Sequence, residues 1–111
     1  MEFEIPVEKK TYYKAALMII NVPLNLNLSN MEMDMISYFL NSGKEYLDSD
    51  VKDKMAVELD KDIYSINNYI SRLKEKKMLL LKPNSRLLYF NTNIKNIISD
   101  NNISFNLKIL N

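Results

Sequence analysis

Residues 52–78, KDKMAVELDKDIYSINNYISRLKEKKM, decide the fold that this chain can adopt. Apolar residues recur at three- and four-residue spacing on both sides of the polar segment at 60–62, a pattern that predicts two helices joined by a tight turn. Ala56 is a small residue where the helices would touch, Asp60 is a turn residue, and Ile66 falls on the inward side of the second helix. The stretch therefore predicts a packed pair of helices.

The ends and inward faces of this helix pair can also be predicted. The first helix is expected over 51–59, with Ser49 and Asp50 as N-cap candidates, and the second over 63–77. The side chains expected to point into the core are apolar: Met55, Ala56, Leu59, Ile63, Ile66, Ile70 and Leu73.

A β-hairpin is predicted directly after the second helix. The apolar runs 78–81 and 86–90 flank Lys-Pro-Asn-Ser at 82–85, where proline and asparagine favour a tight turn. Two short antiparallel strands are the expected result.

The segment before the helix pair predicts a capped helix. Ser29 is followed three residues later by Glu32, the spacing of a capping box, in which each side chain accepts a backbone amide of the first turn. Gly43, the single glycine of the chain, stands where a helix end needs a left-handed residue. The methionines of this helix favour flexible filling of a core. Its predicted apolar stripe comprises Met31, Met35, Ile36, Tyr38 and Phe39.

The N-terminal helix, predicted over 7–21, has an unusually wide apolar surface. Tyr13, Leu17 and Met18 extend the stripe that the helical spacing defines. A homodimer through this helix is one explanation, since exposed apolar surface marks interaction sites. The other is that the capped helix and a terminal sheet cover it from two sides.

Several further segments complete the predicted order of elements. Leucines alternate with asparagines over 24–28, which indicates an extended connector or short strand, and a helix capped by Thr92 or Asn93 is expected over 91–100. Alternating polarity predicts terminal strands at 2–6 and 103–109 that could pair with each other. We therefore expect an α+β fold.

Composition limits the domain count and the function. With 111 residues the chain can form one domain, comprising 1–28, the central 29–90 and 91–111. It has no cysteine and no histidine, so thiolate or imidazole metal sites and histidine-based catalysis are excluded. Carboxylate pairs such as Glu32 with Asp34 are expected to be solvated surface acids. We expect neither an enzyme nor a bound cofactor or metal.

Charge is distributed unevenly along the chain. The formal net charge is only +1, but residues 61–86 hold seven cations and two acids and so carry +5, which leaves −4 for the rest. No apolar run is long enough to span a membrane, and the first residues lack the pattern of a signal peptide. The expected location is the cytoplasm, or the host cytoplasm or virion for a phage protein.

The order of capped helix, helix pair and hairpin over 29–90 resembles the winged helix-turn-helix superfamily. NNYISRLKEKKMLL is similar to the end of the recognition helix running into the wing of bacterial and phage members, which often have glycine at the position of Lys77. Asp60 stands where their tight turn usually has glycine, a replacement we attribute to capping of the following helix. Heavy use of Asn, Ile, Lys and Tyr suggests an AT-rich genome, as in many phages and low-GC bacteria.

The resemblance implies that the second helix enters the major groove of double-stranded DNA and that the hairpin is the wing. Asn67 and Asn68 can make bidentate contacts to adenine, and Tyr64 can meet phosphate or a thymine methyl. Asp62 would face phosphate unless it caps the helix. The residues implied as the DNA-binding surface are Lys61, Tyr64, Ser65, Asn67, Asn68, Ser71, Arg72, Lys74, Lys77, Lys82 and Arg86.

Two functions remain open at this point. One is a small DNA-binding transcriptional regulator. The other is a structural or adaptor protein, such as a phage virion or assembly component, which uses the same fold for protein contacts.

Overall fold

The computed structural model describes residues 9–99, with side chains from residue 11 onward. The predicted α+β class is confirmed, because this part of the chain forms five helices and one two-stranded antiparallel hairpin. The predicted strands at 2–6 and 103–109, and their pairing, lie outside the described residues. In chain order the elements are α1 (Lys9–Asn21), α2 (Asn30–Asn41), α3 (Ser49–Glu58), α4 (Ile63–Glu75), β1 (Leu79–Leu81), β2 (Leu88–Phe90) and α5 (Thr92–Ser99).

The buried side chains form one apolar cluster to which all five helices and both strands contribute. Leu17 of α1, Ile66 of α4 and Ile98 of α5 are completely enclosed. The predicted role of methionine as core filling is confirmed at Met35 and Met55, which are almost fully buried in α2 and α3. Packing around these residues fixes the helices relative to one another.

Helix α2 begins and ends as the sequence predicts. The Ser29 hydroxyl accepts the Glu32 amide at 3.2 Å, and the Glu32 carboxylate accepts the Ser29 amide at 2.9 Å, which completes the capping box. Gly43 follows the C-cap with a φ of 70°, in the left-handed region that glycine adopts at little cost.

Helix α3 begins two residues earlier than predicted. Its N-cap is Asp48, whose carboxylate accepts the Val51 amide at 2.9 Å, so the prediction of Ser49 or Asp50 is wrong. The physical reason is Leu47, which is buried and donates its amide to the carbonyl of Leu88 in the hairpin at 2.8 Å. Because this pairing fixes the chain at Leu47, the next residue is the one placed to cap the helix.

The turn between α3 and α4 uses two aspartates for two purposes. Asp60 has a φ of 54°, and the Lys61 amide donates to the Ala56 carbonyl at 2.9 Å, the pattern of a left-handed helix end. Asp62 caps α4, because its carboxylate accepts the Ser65 amide at 2.7 Å. The expectation that Asp60 caps the following helix is therefore wrong; Asp60 ends the preceding one.

A second left-handed residue leads from α4 into the hairpin. Lys77 has a φ of 63° and ends the helix, which runs to Glu75 rather than to 77. Strands β1 and β2 pair in antiparallel register, with Leu80 opposite Tyr89. Pro83 and Asn84 form the predicted turn, in which Asn84 has a φ of 60°. This conformation matches the position of asparagine in a type II turn.

The connector at 24–28 is a compact turn and not the predicted extended segment. Asn25 and Asn27 both have positive φ values, which reverse the chain direction locally. The side chain of Asn21 holds the turn closed, because its amide group donates to the Leu28 carbonyl and accepts the Leu28 amide. Alternation of leucine and asparagine cannot distinguish this geometry from a strand.

Helix α1 packs on both α2 and α5. Leu17 is fully buried and so cannot belong to a dimer interface, whereas Met18 remains 58% exposed. Because α2 covers part of α1, the structure agrees with one half of the alternative to a dimer, namely that the capped helix covers the apolar surface of α1.

Helix α5 is capped by Asn91, whose side chain accepts the amides of residues 93 and 94, so the predicted caps Thr92 and Asn93 are wrong.

Candidate nucleic-acid interface

Helix α4 is held by three buried side chains along one face. Ile66, Ile70 and Leu73 pack into the core, as their spacing predicts. Ile63 was predicted to join them but is 42% exposed, because it is the first residue of the helix and lies beyond the reach of the core. The three anchors fix which side chains of α4 point outward.

The outward face of α4 carries uncharged polar side chains. Tyr64 is 73% exposed, and Asn67, Asn68 and Ser71 are exposed beside it. The side-chain amides of Asn67 and Asn68 make no hydrogen bond within residues 9–99, whereas the Ser71 hydroxyl donates to the Asn67 carbonyl at 3.2 Å. Two amide side chains are therefore available to a ligand.

Ser65 differs from the other predicted contact residues. It is half-buried, and its backbone amide already donates to the Asp62 carboxylate at 2.7 Å. That hydrogen bond holds the pKa of Asp62 below its ordinary value. Asp62 therefore acts as a charged cap, which explains its place at the helix start but leaves a negative charge beside the candidate interface.

The cations predicted as contacts lie at the start of α4, along it and in the hairpin, and all of them are exposed. Arg72 lies over the ring of Tyr69 at 5.2 Å, and Lys82 lies over the ring of Tyr46 at 4.9 Å. None of the predicted cations forms an ion pair with another described residue. The set comprises Lys61, Arg72, Lys74, Lys77, Lys82 and Arg86.

Lys76 counts toward the +5 segment but is not available to a ligand. Its ammonium lies 2.6 Å from Oε1 of Glu32 and 2.6 Å from the carbonyl oxygen of Asn27. Glu32 is only 1% exposed, so the expectation that it is a solvated surface acid is wrong. Burial acts to raise the pKa of Glu32, but hydrogen bonds from Lys76 and from Ser29 outweigh it, and the pKa lies below its ordinary value.

Acidic residues lie immediately before α4. The segment 48–62 holds six acids and three lysines, a net charge of −3. Lys54 pairs with Asp50 at 3.1 Å, and most of the other acids are exposed and have no cationic partner within residues 9–99. These acids directly precede α4, whereas the cations predicted to contact phosphate lie mainly on α4 and in the hairpin.

Two residues that position the candidate interface were missing from the sequence prediction. Tyr69 supports Arg72 from three residues earlier on the same helix, a spacing that could have identified the pair. Tyr46 supports Lys82 from a distant segment, which no local pattern reveals. Both rings limit the conformations of the cations that they contact.

No protein-family model matches this chain, and no curated protein or solved structure is significantly similar to it. Within residues 9–99, no helix is both long and apolar enough to cross a membrane. Acidic side chains in the same range do not gather into a group of three that could hold a metal ion. Support for a nucleic-acid interface therefore comes from the geometry of α4 and the hairpin and not from similarity to known proteins.

Proposed function

We propose that this chain is a DNA-binding winged helix protein, a small transcriptional regulator of the cytoplasm. The observation that carries the proposal is the outward face of α4, where exposed amide and phenol groups stand between exposed cations. Such a face supplies both base-reading groups and phosphate-neutralising groups on one rigid helix.

The arrangement around α4 supports the winged helix assignment. Helices α3 and α4 are joined by a four-residue connection, and the hairpin begins four residues after α4 ends. The bridge between Leu47 and Leu88 adds a third extended segment to the hairpin from the connector before α3. The helix pair and the hairpin that follows it are in the order of elements that the sequence resemblance implies, whereas the bridge was not predicted.

In the proposed mode of binding, α4 lies in the major groove with its N-terminal half toward the bases. Asn67 and Asn68 would contact adenine edges, and Tyr64 would contact a thymine methyl or a phosphate. Arg72, with Lys61, Lys74 and Lys77, would neutralise backbone phosphates along α4, and Lys82 and Arg86 would do so from the wing. Lys76 is omitted because Glu32 already neutralises it.

Fluorescence anisotropy with a pool of random duplexes tests this proposal. We expect binding that weakens as salt rises, and a log–log salt slope that falls by about one unit in Arg72→Ala. Lys54→Ala is the matched control, since it removes an exposed lysine from α3. Absence of duplex binding at low salt, or an equal loss in both variants, would contradict the proposal.

The exposed apolar residues of this region favour a second function as an adaptor in a larger assembly. Val57 is 83% exposed beside the acids of α3, and Ile63 and Leu81 are also exposed. A basic, apolar protein surface would complement them. A stoichiometric protein partner that survives nuclease treatment, and is lost in Val57→Glu, would support this function over DNA binding.

A further inference from the structure

An open cleft of about 390 Å³ lies away from α4, between the end of α2, the hairpin and the start of α5. Its volume falls in the range of small-ligand sites, roughly 300–1,000 Å³. The buried rings of Phe39 and Phe90 line it together with the half-buried rings of Tyr46 and Tyr89. The walls therefore offer aromatic surface to a planar ligand.

The rim of the cleft is cationic. Lys44, Lys82 and Lys95 come from three separate segments, and Glu45 is the only acid among the described lining residues, so these residues carry a charge of +2. None of the three lysines has a carboxylate partner within residues 9–99. An anion entering the cleft would thus gain ammonium contacts without having to displace an existing ion pair.

Lys82 places a cation next to one of the aromatic rings of the cleft. Its ammonium rests 4.9 Å from the centroid of the Tyr46 ring, which holds the charge beside one of the rings that line the cleft. Thr92 and Asn96 of α5 add neutral hydrogen-bonding groups to the lining. Aromatic walls, a cationic rim and neutral polar groups are the combination that recognises a base joined to a phosphate.

We propose that this cleft binds a single nucleotide unit, with the base against Tyr46 or Tyr89 and the phosphate beside Lys82 and Lys95. A base within a duplex cannot reach such a concave site without leaving its stack. The ligand is therefore a free nucleoside phosphate or an unpaired nucleotide of a single strand. This site is independent of the duplex-binding face of α4 and shares only Lys82 with the proposed wing contacts.

Isothermal titration calorimetry of the full chain with ADP tests the proposal. We expect ADP to bind, and inorganic pyrophosphate, which lacks the ring, to bind more weakly by about fivefold or more. Adenosine, which lacks the anion, is expected to bind more weakly than ADP as well. Absence of ADP binding, or equal affinity for ADP and pyrophosphate, would overturn the proposal.

Substitutions at the rim locate the site. Lys95→Ala and Lys44→Ala are each expected to weaken ADP binding about two- to fivefold, whereas the matched variant Lys54→Ala should bind like the parent. Amide chemical shifts on addition of ADP should change around Tyr89 and Thr92 and stay constant in α3. Unchanged ADP affinity in Lys95→Ala, with shifts elsewhere, would overturn the assignment to this cleft.

A single-stranded oligodeoxyadenosine distinguishes the two sources of the nucleotide. If the oligonucleotide competes with ADP, and competes less well in Lys95→Ala, the cleft binds a nucleotide of a single strand. If the oligonucleotide does not compete, the cleft binds free nucleotides. A failure of this proposal can be distinguished from a failure of duplex binding. Arg72→Ala should weaken only duplex binding, and Lys95→Ala should weaken only ADP binding. An equal loss of duplex and ADP binding in Arg72→Ala, or in Lys95→Ala, would contradict the independence of the two sites.

Discussion

The ammonium of Lys76, at the end of α4, lies 2.6 Å from the carboxylate of Glu32 in the first turn of α2. The two residues are 44 positions apart in sequence, and the same carboxylate oxygen also accepts the Ser29 amide. The other oxygen, Oε2, is buried and has no hydrogen-bond partner among the described residues. One buried anion therefore connects the cap of α2 to the end of the helix proposed to bind DNA.

Removal of Lys76 should destabilise the protein more than removal of the Glu32 charge. Lys76→Met leaves an uncompensated carboxylate in the core and is expected to lower the free energy of unfolding by about 1–3 kcal/mol. Glu32→Gln should cost less, because Lys76 keeps the Asn27 carbonyl and part of its exposure to solvent. Urea denaturation measures both values.

The double variant Glu32→Gln with Lys76→Met tests whether the cost is that of an unpaired charge. We expect it to be more stable than Lys76→Met alone, since no buried charge remains. Lys54→Met, which breaks the exposed pair with Asp50, is the control and should leave the stability nearly unchanged. A Lys76→Met variant as stable as this control would contradict the interpretation.

The depressed pKa of Glu32 predicts a loss of stability in acid. A carboxyl group whose pKa is lower in the folded state stabilises the fold above its unfolded pKa of about 4.5, and that contribution is lost as the pH falls through the folded pKa. We expect the urea concentration at the denaturation midpoint to decrease as the pH is lowered below 4.5. The decrease should be less steep in Glu32→Gln. Equal slopes in the parent and in Glu32→Gln would show that other carboxyl groups cause the loss.

Two left-handed residues at helix ends predict opposite effects of substitution. Gly43→Ala adds a methyl group that meets no atom within 4 Å, so its cost is the backbone strain alone, about 1 kcal/mol. Lys77→Gly relieves the same strain at a φ of 63° and should raise the stability by up to about 1 kcal/mol. Thermal denaturation of the two variants checks the signs, and a destabilised Lys77→Gly would contradict this explanation.

The sequence predicted those features of the fold that depend on residues close together along the chain. The capping box at Ser29, the left-handed Gly43 and the buried face of α4 depend on residues within one or two turns of each other. The cap of α3 was missed because three successive residues, Asp48, Ser49 and Asp50, can all serve as N-caps. The pairing of Leu47 with the hairpin makes the choice, and it lies outside any local window.

The sequence predicted which side chains of α4 are exposed, but it did not predict which of the cations is neutralised by an acid. Exposure of Tyr64 and Asn68 follows from the spacing of the buried residues of α4. Neutralisation of Lys76 by Glu32 could not be predicted, because it requires the tertiary contact between α2 and α4. The aromatic cleft was missed for the same reason, since its lysines come from three separate segments.

The cap of α4 allows the charge of Asp62 to be separated from its structural role. Asp62→Asn keeps an acceptor for the Ser65 amide, so the helix should remain intact, but it removes an anion beside the proposed phosphate path. We expect duplex affinity to rise several-fold at low salt, with the gain disappearing at high salt. Asp62→Ala should instead lower the melting temperature, and anisotropy combined with thermal denaturation distinguishes the two.

Asn68 provides the most direct test of base reading by α4. Its side chain is exposed and makes no hydrogen bond within the described residues, so Asn68→Ala should leave the melting temperature unchanged. If Asn68 contacts adenine, affinity for a selected duplex should fall about tenfold while affinity for random duplex stays constant. Asn30→Ala, at an exposed asparagine of α2, is the matched control. Equal behaviour of Asn68→Ala and Asn30→Ala on the selected duplex would mean that Asn68 reflects the composition of the chain and does not read DNA.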